Sequence, residues 1–166
     1  MPVLIALPFL SLLVMFQSAI LSRIHLLHGA ADLVLLVLVA WALQERVQTA
    51  WHWTVIGGLL IGLVSALPFG AMLGCYLLIT GVALYLRRRI WKIPLLAMFV
   101  VTFIGTLLTH IVTIAVILFG GTTLPLVESM NLITLPSLLL NLLLALPVYV
   151  LMGDIANWLY PKEINV

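Results

Sequence analysis

The sequence predicts an all-α integral membrane protein, a compact bundle of about six transmembrane helices forming one domain over residues 1–166. Three observations predict it. Hydrophobic residues make up 65% of the chain and charged residues 7%, against about a half and a quarter in soluble domains. Mean hydropathy is +1.34. The apolar runs are long and are separated by short breaks carrying charge, Pro or Gly. Six spans of about 20 residues leave only short connections, so any catalytic or cytosolic module must belong to a partner.

The helices are expected at about 3–22, 29–44, 51–68, 70–87, 94–120 and 135–160. Met1 to Ile20 has neither a basic leading region nor a small-residue cleavage pattern before Arg23, and is expected to be a retained first span. The second run lies between His28 and Gln44. The third carries Gly58, Gly62 and Ala66, and the fourth opens with Gly70 and Gly74. Small-residue stripes of this kind let helix backbones approach closely, and internal packing is favoured here over a dimer interface. The short Pro68-Phe69-Gly70 turn makes these two spans an antiparallel hairpin. The connection GGTTLPLVESMNLIT at 120–134 mixes apolar residues with hydroxyls, and reads as a surface-lying segment, a contact for an external partner, or a plain tether.

The net charge of +2 comes from seven Lys/Arg against five Asp/Glu. Four of the basic residues, Arg87, Arg88, Arg89 and Lys92, follow the fourth span and set orientation and lipid contact; they do not indicate nucleic acid. If that cluster is cytoplasmic, alternation puts Glu45/Arg46, Lys162 and both termini inside as well. Arg23 is the exception, and it can reach outer headgroups or pair with Asp32. Trp41, Trp51, Trp53, Trp91 and Trp158 all fall near the same ends of spans, where amphipathic rings favour the interface.

Polar side chains inside the apolar runs are the candidate functional residues. Thr102, Thr106, Thr109 and Thr113 lie on one face of the fifth span with His110 beside them, so that stripe must face protein or water. Threonine hydroxyls can bond their own helix's carbonyls, which makes packing the first reading and a ligand or partner site the second. His110 reads as a neutral, hydrogen-bonded histidine in preference to a proton relay, since no carboxylate lies near it in sequence. Asn141 in LPSLLLNLLLALPVYVLM lacks water for its amide and must face a helix or a cavity. Pro147 should kink that span, giving either a binding crease or a purely structural bend.

No Gly-rich Lys-Ser/Thr phosphate loop, His-Glu-x-x-His, Cys-x-x-Cys or pair of membrane-facing carboxylates is present, and no serine has a local nucleophile signature. A non-enzyme without a cofactor or metal is expected. Cys75, the single cysteine, can form neither an internal disulfide nor a thiolate cluster.

The order of AADLVLLVLVAWALQER at 30–46, GGLLIGLVSALPFG at 57–70, GVALYLRRR at 81–89 and LPSLLLNLLLALPVYVL at 135–151 resembles the MreD family, small membrane subunits of the bacterial rod-shape machinery. The likeness spans nearly the whole chain, and Asp32 and Asn141 are the positions that carry over. Family members commonly have Pro-Asp where this chain has Ala31-Asp32, an acidic residue where it has Ser65, and a longer connection before Gly70. The resemblance implies a non-catalytic subunit in the bacterial inner membrane. Such a subunit binds MreC and helps couple MreB filaments to the polymerase RodA and its class B transpeptidase. The same family is similar in architecture to substrate-binding subunits of energy-coupling-factor vitamin transporters, which supply the alternative reading. On the first reading, Gly62 and Asn141 are expected to offer the MreC helix a groove. On the second, Thr109, His110 and Thr113 are expected to line an outward cavity. A transporter of lipid or cell-wall precursors is a third reading, and it lacks an obvious coupling carboxylate.

Overall fold

A computed structural model describes residues 2–19, 28–89, 93–121 and 125–161, and apart from one isolated bridge position at Gly29 the regular structure among them is helical. The helices are α1 (Pro2–Ala19), α2 (Leu33–Leu43), α3 (Ala50–Val64), α4 (Phe69–Arg89), α5 (Pro94–Phe119), a short α6 (Leu126–Ser129) and α7 (Leu135–Leu159), with a π-helical segment at Met130–Thr134 joining the last two. Among the described residues, three helices are long and apolar enough to cross a membrane: Phe69–Arg89, Pro94–Phe119 and the continuous Val127–Leu159. The other apolar helices are shorter. Arg23, Trp91, Lys92 and Lys162 lie outside the described residues.

The architecture follows from α2. Its sequence, LVLLVLVAWAL, is apolar all the way round, which is the pattern of a helix without a solvent face. Val34 through Leu43 are all buried. α2 packs against α1, α3, α4, α5 and α7, and the contacts α1 with α3, α3 with α4, α4 with α5 and α5 with α7 arrange those five as an arc around it. At about 1.5 Å per residue, α2 is only about half as long as a bilayer core is thick.

The second span was expected to be helical from about residue 29, yet the helix starts at Leu33. Residues 28–32 are not helical because their amides find partners across the bundle. The His28 N–H donates to Leu132 O at 3.1 Å, Ala30 N–H to Ser137 Oγ at 3.1 Å and Asp32 N–H to Asn141 Oδ1 at 2.8 Å. The two repeats match in length: four residues of extended chain rise about 13 Å, and nine residues of helix about 14 Å. Gly29 makes the approach possible. A Cβ there would sit 2.6 Å from the Ser137 backbone nitrogen and 2.9 Å from Ile133 O.

Pro136 accounts for the π-helical segment. In a regular α-helix its ring would meet the carbonyl of Leu132 and its nitrogen could not donate to it. The helix widens instead, with the Leu135 N–H reaching Met130 O, and the Leu132 carbonyl accepts from His28. Pro147, by contrast, lies exposed within an uninterrupted α7. The π-helical turn thus falls at Pro136, while Pro147 stands inside the α-helix as the sequence predicts.

α3 ends at Val64, earlier than about residue 68 as expected, because Pro68 disfavours helix at Leu67 and Ser65 Oγ accepts from the Leu67 N–H at 3.1 Å. The α3–α4 hairpin is tight. A Cβ on Gly58 would come 2.7 Å from Leu73 Cδ1 and 3.1 Å from its Cα, and one on Gly62 3.0 Å from the Phe69 ring. A buried Thr54–Thr80 hydroxyl pair at 2.7 Å ties the same two helices. Gly70 and Gly74 have nothing within 4 Å of such a Cβ, so that half of the predicted small-residue set faces away from the bundle.

The tryptophans divide into two groups. Trp51 and Trp158 are exposed, but Trp41 and Trp53 are fully buried, stacked with ring centroids 4.2 Å apart, with Phe9 against Trp53 and Tyr160 against Trp41. This aromatic cluster gathers α1, α2, α3 and the end of α7 at one end of the bundle.

Candidate functional site

The amino end of α2 lies inside the bundle, where its first amides need partners that no water supplies. The side chains of Gln17, Asp32 and Asn141 accept from them, and α4 and α5 join through those side chains. Asp32 caps the helix, its Oδ1 accepting from the Leu35 N–H at 3.0 Å, while Oδ2 accepts from the Tyr76 hydroxyl of α4 at 2.8 Å. The Gln17 amide of α1 joins from the other side, its Oε1 accepting from the Val34 N–H at 3.1 Å. From α7, Asn141 accepts the Asp32 N–H. Its own Nδ2 donates to Thr106 Oγ1 of α5 at 2.9 Å, and that hydroxyl donates to Thr102 O at 2.8 Å. The carboxylate also sits at the positive end of the α2 dipole, a placement worth about 0.3–1 kcal/mol.

Asp32, Thr106 and Asn141, predicted from sequence, thus meet in one network, although Asp32 and Asn141 are 109 positions apart. His110 is beside it: its Nδ1 and Thr134 Oγ1 share a hydrogen bond of 3.4 Å. The rest of the threonine stripe bonds its own helix, Thr109 to Gly105 O and Thr106 O, and Thr113 to Thr109 O. Thr102 Oγ1 is buried without a partner. Gly58 and Gly62 belong to the α3–α4 contact, and Pro147 to the outer face of α7; none of the three joins the network.

The network's polar atoms are turned on one another. Asn141 is 1% exposed and both ends of its amide are engaged inside the chain, while Gly62 is buried against Phe69. Asn141 thus faces neighbouring helices of its own bundle, one of the two placements expected for an amide in an apolar run. Apolar surroundings strengthen each bond and penalise any broken one, so the arrangement acts as a lock on the start of α2.

At the carboxyl end of α2 the Gln44 N–H donates to Trp41 O, and one side chain serves the carbonyls beyond. Arg87 Nη1 donates to Ala42 O at 3.0 Å, Gln44 O at 2.8 Å and Val47 O at 3.0 Å, so the first arginine of the basic cluster is a helix cap. Arg88 and Arg89 are exposed. Nearby, Arg46 Nη1 donates to Tyr160 O and Thr49 pairs with the Tyr160 hydroxyl, which places the α2–α3 connection, the end of α4 and the end of α7 together.

Sequence reasoning missed Gln17, Gly29, Tyr76 and Ser137. Gln17 carried the same signal as Asn141, an amide within an apolar run. Gly29 and Ser137 carried none, because their role depends on a pairing across the chain.

The chain matches no protein-family model, no curated protein and no solved structure.

Proposed function

We propose that this chain is a non-catalytic, six-span membrane subunit of the bacterial cell-elongation machinery, of the MreD type, residing in the inner membrane with both termini cytoplasmic. It would bind MreC and hold it in register with RodA, a class B transpeptidase and MreB. The observation that carries this reading is the Asp32–Asn141 contact: the two positions taken from the resemblance are direct partners across the bundle. A rigid scaffold needs such a lock, because lipid supplies little hydrophobic drive between helices and fit must come from packing and internal hydrogen bonds. The gathering of Arg46, Arg87, Arg88 and Arg89 at one end supports the orientation.

The energy-coupling-factor reading calls for convergent polar groups open to a small molecule. In this chain Thr109 and Thr113 spend their hydroxyls on helix carbonyls, which favours the scaffold. The test is purification of the tagged full chain from native membranes in mild detergent, with identification of what stays bound. MreC with RodA and a transpeptidase is the expected result. Recovery of an energy-coupling transmembrane subunit with two ATPases would replace this proposal with the transporter.

A further inference from the structure

Contacts between helices give a ruler for depth. Asn141 meets Asp32, and further in a Cβ on Gly153 would lie 3.6 Å from the Gln44 amide. Asp32 to Gln44 and Asn141 to Gly153 each rise about 18 Å at about 1.5 Å per residue, so α2 and α7 keep level with each other. α4 agrees, with Tyr76 on Asp32 and Arg87 on Gln44 O. The level of Gln44 and Arg87 is the inner edge of the hydrocarbon: exposed Trp51 and Trp158 bracket it, and exposed Arg88 and Arg89 follow it.

The outer edge lies about 30 Å from the inner one, which is about 12 Å outward of the Asp32–Asn141 contact. α4 stops short of that edge, since Phe69 is only about 10 Å outward of Tyr76. α5 and the helix that continues α7 outward do not: Phe119 and Val127 stand about 20 Å outward of Thr106 and Asn141. Phe119 is 92% exposed and Val127 77%. Apolar side chains at this height lie past the lipid tails, and an apolar patch without that cover marks an interaction site.

The chemistry of the patch selects its occupant. Two open hollows of about 560 and 340 Å³ adjoin here, both lined by Pro125, Glu128 and Leu132, with Asn131 in the larger and His28 in the smaller. Glu128 is exposed, and no described residue donates to its carboxylate. The described lysines and arginines all stand at the opposite end. A zwitterionic lipid headgroup would therefore bring a phosphate to an end with no cation for it, and a second copy of this end would bring Glu128 no cation either. We propose that the α6–π segment docks an outer segment of a protein partner in which a Lys or Arg is flanked by apolar side chains, the cation on Glu128 and the apolar groups in the two hollows. The proposal rests on the membrane reading of the chain and not on the identity of its partners, so failure to recover MreC leaves it standing.

The test places photoreactive benzoylphenylalanine at Val127 of the full chain in native membranes and maps the linked residue by mass spectrometry. Leu63 is the control, 73% exposed near the tip of the lower α3–α4 hairpin. Val127 should link to the outer segment of another protein, beside a Lys or Arg, and Leu63 to lipid. Glu128→Lys should cut the protein adduct about tenfold with an unchanged unfolding midpoint, Glu128→Gln should cut it by less, and changing the partner's basic residue to Glu should restore it in Glu128→Lys. Lipid as the only adduct at Val127 would overturn the proposal. So would an adduct within this chain, whether to a second copy or to the segment holding Arg23, and so would a protein adduct that Glu128→Lys leaves undiminished.

Discussion

The two ends of α2 solve the same problem in opposite ways. At the amino end, Gln17, Asp32, Tyr76, Thr106 and Asn141 from five elements share the work. At the carboxyl end, a single arginine nitrogen serves three carbonyls. A shared network spreads the loss of any member over its neighbours, whereas one guanidinium has no substitute. The carboxyl end is therefore the more fragile to a single substitution, and the amino end is where substitutions should interact.

Arg87→Ala should give the largest effect. It takes a charged donor from the carbonyls of Ala42, Gln44 and Val47, of which Gln44 O keeps the Val47 N–H, and bonds to charged donors are worth about 1.5–3 kcal/mol apiece without full additivity. We expect a loss of about 3 kcal/mol, a midpoint lower by about 6–12 °C in detergent melts, partly restored by Arg87→Lys. A melt unchanged by Arg87→Ala would remove the contrast between the two ends. Arg88→Ala, at an exposed position, should leave the midpoint within about 1 °C.

Asn141→Leu comes next. It leaves the Asp32 N–H and the Thr106 hydroxyl short of a partner, at about 1–3 kcal/mol, and should lower protection of the α2 amides from hydrogen exchange. Gly29→Ala should cost a similar about 1–3 kcal/mol, because the contact it forces is with the backbone of α7 and not with a side chain able to turn aside. Equal melting of Gly29→Ala and the parent would refute the close packing of residues 28–32 on α7.

The smallest effect expected is a gain. Gly74→Ala points into open space and replaces a helical glycine, which should stabilise α4 by about 0.5–1 kcal/mol. Gly58→Ala, toward the Leu73 backbone, should destabilise. The pair separates glycines that serve packing from one that does not, although both stand in similar stripes.

What was legible in the sequence follows the same division. Helices showed themselves because apolar length is a local property, and Thr106, His110 and Asn141 stood out because a polar side chain in an apolar run must be paid for somewhere. The non-helical start before α2 was hidden: Ala30-Ala31-Asp32-Leu33 has nothing against a helix, and only the approach of Leu132, Ser137 and Asn141 makes the extended path better. Pro136 did hold a readable clue, since a proline disturbs the carbonyl four residues back. Pro147 held the same clue and lies in an unbroken helix, so the residue type alone did not say which proline would widen the turn. Arg87 showed its charge but not its cap, because the carbonyls it serves belong to the end of α2 and the connection after it.

Asn141 spends its amide inside the chain, on Asp32 and Thr106, as part of one lock. A double-mutant cycle of Asn141→Leu and Thr106→Val, read as detergent melting midpoints, tests it most directly. The predicted result is strong coupling, with the double variant little worse than the poorer single one and an interaction of at least about 0.5 kcal/mol. Strictly additive losses would contradict the lock and return Asn141 to the surface, where a partner or ligand could claim it.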